Sequence, residues 1–124
     1  MTDALARFFR WNNSKLIGSG NVMIEKFLKV FFFLSLVVYR RAAPRPGAPS
    51  HRVVVDNFDS NLHLHVDRGR AMGSAIYWTG FHEFKEFLFL HRYLRSDMTF
   101  VDVGANLGEY SLFAAKRLTS GRVL

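Results

Sequence analysis

Residues 99–116 contain the feature that most constrains the fold, an apolar segment followed by a glycine-containing turn and an amphipathic segment. The segment Phe100-Val-Asp-Val103 is short and nearly all apolar, which is typical of a central parallel strand covered on both faces. The turn Gly104-Ala-Asn-Leu-Gly108 follows it directly. Glycine tolerates positive φ, and asparagine is a common substitute in left-handed geometry. The glycines and the asparagine of this turn are therefore predicted to serve positions with positive φ.

The segment after the turn predicts a helix from about residue 107 to residue 119, ended by Ser120-Gly121. Residues 123–124 then begin a further strand. In open α/β sheets, ligands bind at the carboxyl ends of the strands, where helix amides can meet an acceptor on the ligand. The edge after Val103 is therefore the predicted ligand site. The helix residues predicted to face inward are Leu112, Ala115 and Leu118.

A second helix is predicted over residues 81–95, with Thr79 or Gly80 as its cap. Its acidic residues lie in the early turns and its arginines near the end, as the helix dipole favours. This helix is interpreted as scaffold that packs on the sheet. Its apolar stripe consists of Phe81, Phe84, Phe87, Leu88, His91 and Leu94.

The order strand-Asp-x-Gly-x-Asn-x-Gly-helix resembles the first motif of S-adenosylmethionine (SAM)-dependent methyltransferases, Asp-x-Gly-x-Gly-x-Gly, with Asn106 replacing the middle glycine. Residues 100–116 are similar to the opening of the FkbM-type methyltransferase domain, whose members typically begin with Val-Asp-Val-Gly-Ala-Asn and a Gly-x-Tyr-Ser/Thr sequence. Residues 77–94 also resemble that family's lead-in segment. The resemblance covers about residues 52–124, is strongest over residues 99–116, and implies the N-terminal part of a Rossmann-like α/β fold.

The resemblance also implies roles for the residues of the turn. Asp102 would lie beside the methionine moiety of SAM, and Gly104, Ala105, Asn106 and Gly108 would line that moiety through their backbone. The expected reaction is O-methylation of a small-molecule methyl acceptor or a sugar, and nucleic acid is not an expected partner. The catalytic residues stay unassigned.

The family pattern is interrupted at its ribose-binding part. In such methyltransferases the next strand ends in an acid that binds the ribose hydroxyls, a few residues beyond the equivalent of residues 122–124. This chain supplies no such acid there. Methyl transfer depends largely on proximity and orientation. We therefore expect an incomplete sheet, a fragment of an enzyme, and no methyl transfer by residues 1–124.

Two other functions stay open. A dinucleotide-dependent oxidoreductase would require Gly-x-Gly-x-x-Gly, and the spacing of residues 104–108 does not fit. A non-enzymatic membrane-surface or interaction module is the alternative from another functional class. The reading frame beyond Leu124 distinguishes this module from an enzyme.

The N-terminal part is strongly basic. Residues 1–52 hold nine Lys or Arg against two acids, whereas residues 53–124 hold eight of each. Residues 3–11 predict a short helix capped by Thr2 or Asp3 and ended by Asn12-Asn13-Ser14. Another helix is predicted to begin near Asn21.

Residues 30–39 are almost entirely apolar, and several interpretations compete for them. A spanning helix needs about 20 mostly apolar residues, and this run is half as long. A cleaved secretory signal does not fit, since arginines and prolines follow. The favoured interpretation is a helix or strand buried against the rest of a larger protein. The alternative is weak peripheral membrane contact through residues 22–41, with lipid phosphates meeting Lys26, Lys29, Arg40 and Arg41.

The predicted organisation is a basic helical leader over residues 1–41, a proline-rich linker over residues 42–51, and a truncated methyltransferase domain over residues 52–124. That domain is predicted to open with a β-hairpin whose strands are residues 52–58 and 62–66. The expected location is cytoplasmic, with membrane association as a possibility. The oligomeric state is not predicted.

Metal chemistry is disfavoured. There is no cysteine, and His63 and His65 share one strand face without a third local ligand, whereas a zinc site normally needs three or four. Both histidines are therefore interpreted as part of a solvated strand face.

Overall fold

The computed structural model describes residues 2–124, which form an α/β chain with five helices and two two-stranded sheets. The described residues fall into two compact units, the first ending at His82 and the second spanning Glu83–Leu124. The predicted boundary at residues 42–51 does not coincide with this division, because helix α1 (Thr2–Gly18) packs on the hairpin that follows the linker. Residues 43–50 themselves contain no helix or strand.

The first unit contains three helices and the hairpin. Helix α2 spans Val22–Ala42, strands β1 (Arg52–Phe58) and β2 (Leu62–Asp67) pair antiparallel, and α3 spans Ala71–Thr79. The predicted hairpin is confirmed. Leu64 and Val66 are buried while His63 and His65 are exposed, as alternation along a strand requires. Helix α3 was not predicted.

Helix α1 is longer than predicted, since it passes through Asn12-Asn13-Ser14 and ends at Gly18. The polar cluster does not stop the helix because its side chains are buried and hydrogen-bonded. The amide of Asn12 donates to the carbonyl of Leu28 at 3.0 Å, and the amide of Asn13 donates to the carbonyl of Thr79 at 2.8 Å. These bonds tie α1 to its two neighbouring helices.

Helix α2 begins where predicted, and the side chain of Asn21 caps it by accepting from the amides of Met23 and Ile24. The expectation that residues 30–39 are buried against the rest of a larger protein stays a prediction. Within the described residues Ser35 is buried, whereas Val30 and Phe33 are 56% and 62% exposed. No helix within residues 2–124 combines the length and the apolar character that crossing a membrane requires.

The second unit is a helix followed by a strand-helix-strand arrangement. Helix α4 spans Phe84–Tyr93, β3 spans Thr99–Phe100, α5 spans Glu109–Ala115, and β4 spans Arg122–Val123. Strands β3 and β4 are parallel, as predicted from their order around a helix. The pairing extends one step further, since the amide of Asp102 donates to the carbonyl of Leu124 at 2.9 Å.

Several details of this unit correct the sequence prediction. Helix α4 begins later than expected because Gly80, in left-handed geometry, ends α3 and does not cap α4. Val101 and Val103 are 59% and 91% exposed, because the described residues provide one neighbouring strand and no cover for both faces.

Helix α5 is also shorter than predicted, and the helical rotation of its buried face differs. Of the residues predicted to face inward, Leu118 is buried, Leu112 is half-buried and Ala115 is exposed. Phe113 and Ala114 are buried instead of Ala115. The reason is that Phe113 contacts the ring of Phe87 on α4 at 4.9 Å between centroids. This aromatic contact sets which face of α5 is covered.

Candidate functional site

The turn after β3 adopts the backbone geometry that its composition predicts. Gly104, Asn106 and Gly108 have φ values of 78°, 49° and 78°, all in the left-handed region. Three left-handed residues at alternate positions reverse the chain within five residues, and the amide of Gly108 donates to the carbonyl of Ala105 at 2.7 Å. The prediction that these residue types serve positive φ is therefore confirmed.

Asp102 lies two residues beyond the end of β3 and two residues before Gly104, the first residue of the turn. Its backbone amide is fixed by the bond to Leu124. Its side chain is fixed by Ser111, whose hydroxyl donates to the Asp102 Oδ2 atom at 2.5 Å. Asp102 is thus held at its backbone amide and at one carboxylate oxygen, which fixes the orientation of the carboxylate.

Ser111 was not assigned a role from the sequence. The signal that could have identified it is its place in the first turn of the helix, where a hydroxyl can reach back to the end of the preceding strand. The structure thus brings Asp102 and Ser111 together across the turn.

The turn presents its backbone to the surroundings. A Cβ atom added to Gly104 or Gly108 would meet no other heavy atom within 4 Å. Ala105 and Asn106 are exposed, and Asp102 is half-buried. A ligand can therefore approach the backbone of the turn and one side of the Asp102 carboxylate.

Tyr110, at the start of α5, joins the turn to an aromatic cluster. Its ring stacks on Phe87 at 4.6 Å, and its hydroxyl donates to the Glu83 Oε2 atom at 2.5 Å. Burial raises the pKa of the Tyr110 phenol, and the hydrogen bond to Glu83 raises it further. The phenol is therefore protonated at neutral pH and serves as a hydrogen-bond donor.

An open apolar cavity of about 480 Å³ lies beside α4 in the same unit. Asp102 and the turn residues 104–108 are not among the residues that line it, so the predicted site and the cavity are separate surfaces. The cavity is lined by Lys85, Glu86, Phe89, Leu90, Phe100 and Tyr110.

The remaining sequence candidate, the histidine pair, forms no metal centre in the described residues. His63 and His65 are exposed on β2. No group of three or more His, Cys, Asp or Glu side chains within residues 2–124 is arranged to hold a metal ion. The two histidines remain a strand face open to solvent.

Comparison with protein-family models, with curated proteins and with solved structures gives no match for this chain.

Proposed function

We propose that residues 99–124 form the wall of a SAM site that holds the methionine moiety, in an FkbM-like methyltransferase that modifies a hydroxyl of a small molecule or sugar. The observation that carries the proposal is the alternation of left-handed residues at positions 104, 106 and 108, which begins two residues after Asp102. A connection that only reverses the chain does not also require a restrained carboxylate at the end of the strand. The sequence resemblance supplies the identity of the ligand.

The residues present fit the amino-acid end of SAM. This end carries an ammonium group beside its own carboxylate, and the sulfur further along is a sulfonium, so the two positive charges suit a carboxylate such as Asp102. The open backbone at Gly104 and Gly108 gives the ligand the close approach that a side chain would block. The hydroxyl of Ser111 holds the Asp102 carboxylate in position.

Residues 122–124 contain no acidic side chain of the kind that binds ribose hydroxyls. Within these residues, the proposal therefore concerns binding and orientation of the methionine moiety. SAM, when bound, supplies an activated methyl group, and the proposed role of residues 102–108 is to hold the methionine end from which that group is transferred.

Equilibrium dialysis with labelled SAM, with NAD as competitor, tests the proposal. The Asp102→Asn variant keeps an oxygen that can accept from Ser111 but removes the negative charge. Because a charge-assisted contact is lost, we expect SAM binding to weaken about tenfold. The matched control is Asp97→Asn, which removes the same charge from an exposed aspartate that pairs with Arg95 at 3.5 Å.

SAM retention that NAD does not reduce, together with a loss confined to Asp102→Asn, supports the proposal. Equal retention by both aspartate variants contradicts a role for Asp102. Displacement of SAM by equimolar NAD supports the dinucleotide alternative. Detectable methyl transfer by residues 1–124 contradicts the expectation that this stretch orients only one end of the cofactor.

A further inference from the structure

Helix α2 presents a continuous apolar stripe to solvent. Its residues are separated by four, three, four and three positions, which places them on one face of a helix. Each of them is at least 45% exposed, although the opposite face of the helix packs within the first unit. The stripe consists of Met23, Phe27, Val30, Leu34 and Val37.

Helix α1 widens this apolar surface. Phe31 lies one helical turn beyond Phe27, and its ring meets Phe8 of α1 edge-on at 5.0 Å. Phe8 in turn contacts Trp11 at 6.4 Å, and these two side chains are 40% and 50% exposed. The α2 stripe and the two α1 aromatics therefore form one surface, here called the α1–α2 face.

Basic side chains border the α1–α2 face. Lys26 and Arg40 lie on one flank of the stripe, and Arg41 continues the stripe one turn beyond Val37. On α1, the ammonium of Lys15 lies 6.0 Å from the centre of the Trp11 ring. Glu25 is the single acidic residue of α2, and its carboxylate pairs with the ammonium of Lys29 at 3.5 Å. It therefore adds no net negative charge to the border of the face. The border of the face is thus positive.

This charge pattern distinguishes between possible occupants. Treated as a coiled-coil seam, the stripe places Lys26, Phe33 and Arg40 at one flanking position of the heptad, and Ile24, Phe31 and Val38 at the other. A second copy would offer only the same cationic or apolar flanks, whereas paired helices gain from opposite charges at these positions. A surface with an apolar interior and an anionic layer above it complements both the stripe and its border.

We propose that the α1–α2 face binds anionic membrane lipid, with α2 lying in the plane of the interface. The apolar stripe enters the acyl boundary, and Lys26, Arg40 and Arg41 meet the lipid phosphates. Trp11 lies at headgroup depth, where tryptophan is favoured. The proposal is independent of the SAM site, which belongs to the second unit.

Cosedimentation of the full chain with vesicles tests the proposal. Vesicles of phosphatidylcholine with phosphatidylserine should retain the chain at low salt, and vesicles of phosphatidylcholine alone should retain far less. Raising the salt concentration should weaken retention because it screens the contacts with phosphate. Tryptophan emission should shift to the blue on binding. Trp11→Phe should abolish the shift, because the other tryptophan, Trp78, is only 4% exposed in the free chain.

Variants locate the binding surface. Phe27→Glu should weaken binding at least about tenfold, since it removes an exposed aromatic side chain from the stripe and adds a negative charge. Val54→Glu is the matched control, because Val54 is 51% exposed on the hairpin, outside the face. Lys26→Gln should weaken binding about fivefold. Arg92→Gln, an exposed position on α4, should leave it unchanged.

Far-UV circular dichroism of each variant shows whether its helices are intact, and Lys26→Gln alters no packed side chain. Binding that is lost in Phe27→Glu and Lys26→Gln but kept in the controls supports the proposal. Absence of vesicle binding at low salt overturns it. Equal binding to neutral and anionic vesicles also overturns it, as does self-association that Phe27→Glu abolishes without any vesicle binding by the parent chain.

Discussion

The interiors of the two units differ in how much buried polar side chains contribute to them. In the first unit, buried polar side chains connect elements that are distant in sequence. Arg10 donates to the Asn57 side chain at 2.6 Å and to the carbonyl of Tyr77 at 2.5 Å. In the second unit, the interior is an aromatic cluster in which Phe87 contacts Tyr110 and Phe113.

This difference predicts which substitutions should destabilise each unit most. A buried polar network is strong only while every member is satisfied, so the first unit should respond sharply to the loss of one hydrogen-bonding group. A small aromatic cluster depends on volume and area, so the second unit should respond to truncation of its central ring. The candidate SAM turn belongs to the second unit, so we expect the proposed binding of SAM to depend on the packing of Phe87.

Truncation of the aromatic cluster should have the largest effect. Phe87 is fully buried, so Phe87→Ala should destabilise the second unit by about 4 kcal/mol. The amides of residues 84–115 should lose their protection against hydrogen exchange. Phe89→Ala is the control on the same helix, because Phe89 is 59% exposed. Equal exchange in the two variants would show that the cluster does not hold the unit.

Removal of the buried guanidinium should have the next largest effect. Arg10→Ala leaves the Tyr77 carbonyl and the Asn57 side chain without this donor, which should cost about 3 kcal/mol of unfolding free energy. Burial lowers the pKa of Arg10, but arginine keeps its charge in proteins. Urea unfolding followed by tryptophan fluorescence measures the change, since Trp11 and Trp78 both lie in the first unit.

The control for Arg10 is Arg7→Ala. Arg7 pairs with Asp56, but its side chain is 50% exposed, so its loss should cost less than about 1 kcal/mol. Similar costs for the two arginines would contradict the view that buried polar contacts stabilise this unit.

Loss of the α2 cap should have a smaller effect. Asn21→Ala removes the acceptor for the amides of Met23 and Ile24, which should cost about 1 kcal/mol. Fraying should appear as faster amide exchange at the start of α2. Asn21→Ser keeps a capping oxygen and should restore protection. An unchanged exchange rate in Asn21→Ala would show that packing alone fixes this end.

The smallest effect is expected at alkaline pH. The pKa of Tyr110 is raised in the folded state, first by burial and then by Glu83, with further contributions from Glu86 and Glu109. The stability that this provides is complete below the unfolded pKa of about 10 and is lost as pH rises towards the folded value. The midpoint of urea unfolding, followed by far-UV circular dichroism, should therefore fall above about pH 10.

Tyr110→Phe should remove this part of the pH dependence, whereas Tyr93→Phe, at a 62% exposed position, should retain it. The same alkaline response in Tyr110→Phe as in the parent chain would assign it to another group.

The features predicted correctly from the sequence depend on neighbouring residues. Residue type alone predicted the left-handed geometry of Gly104, Asn106 and Gly108. Residue type also predicted that α2 begins near Asn21. The hairpin followed from alternation and a polar turn. Local backbone preference is a property of the residue itself, which is why a single sequence carries it.

The features that were missed depend on distant partners. Asn12-Asn13-Ser14 is typical of a helix end, but Thr79 supplies an acceptor for Asn13 at a separation of 66 residues. Helix α3 has a nearly continuous run of buried residues, so it lacks the amphipathic period that identifies a helix. Ser111 matters through the carboxylate nine residues before it. A local sequence pattern does not predict these contacts.

The most direct test of the central claim, that the turn after β3 holds the methionine end of SAM, is an amide NMR titration of the labelled chain. SAM and free methionine should shift the amides of residues 102–111, and adenosine should shift them far less. Gly104→Ala should abolish the response, while Gly47→Ala, with a φ of 79° and the same open surroundings, should retain it. Unperturbed amides in residues 102–111 at saturating SAM would contradict the account.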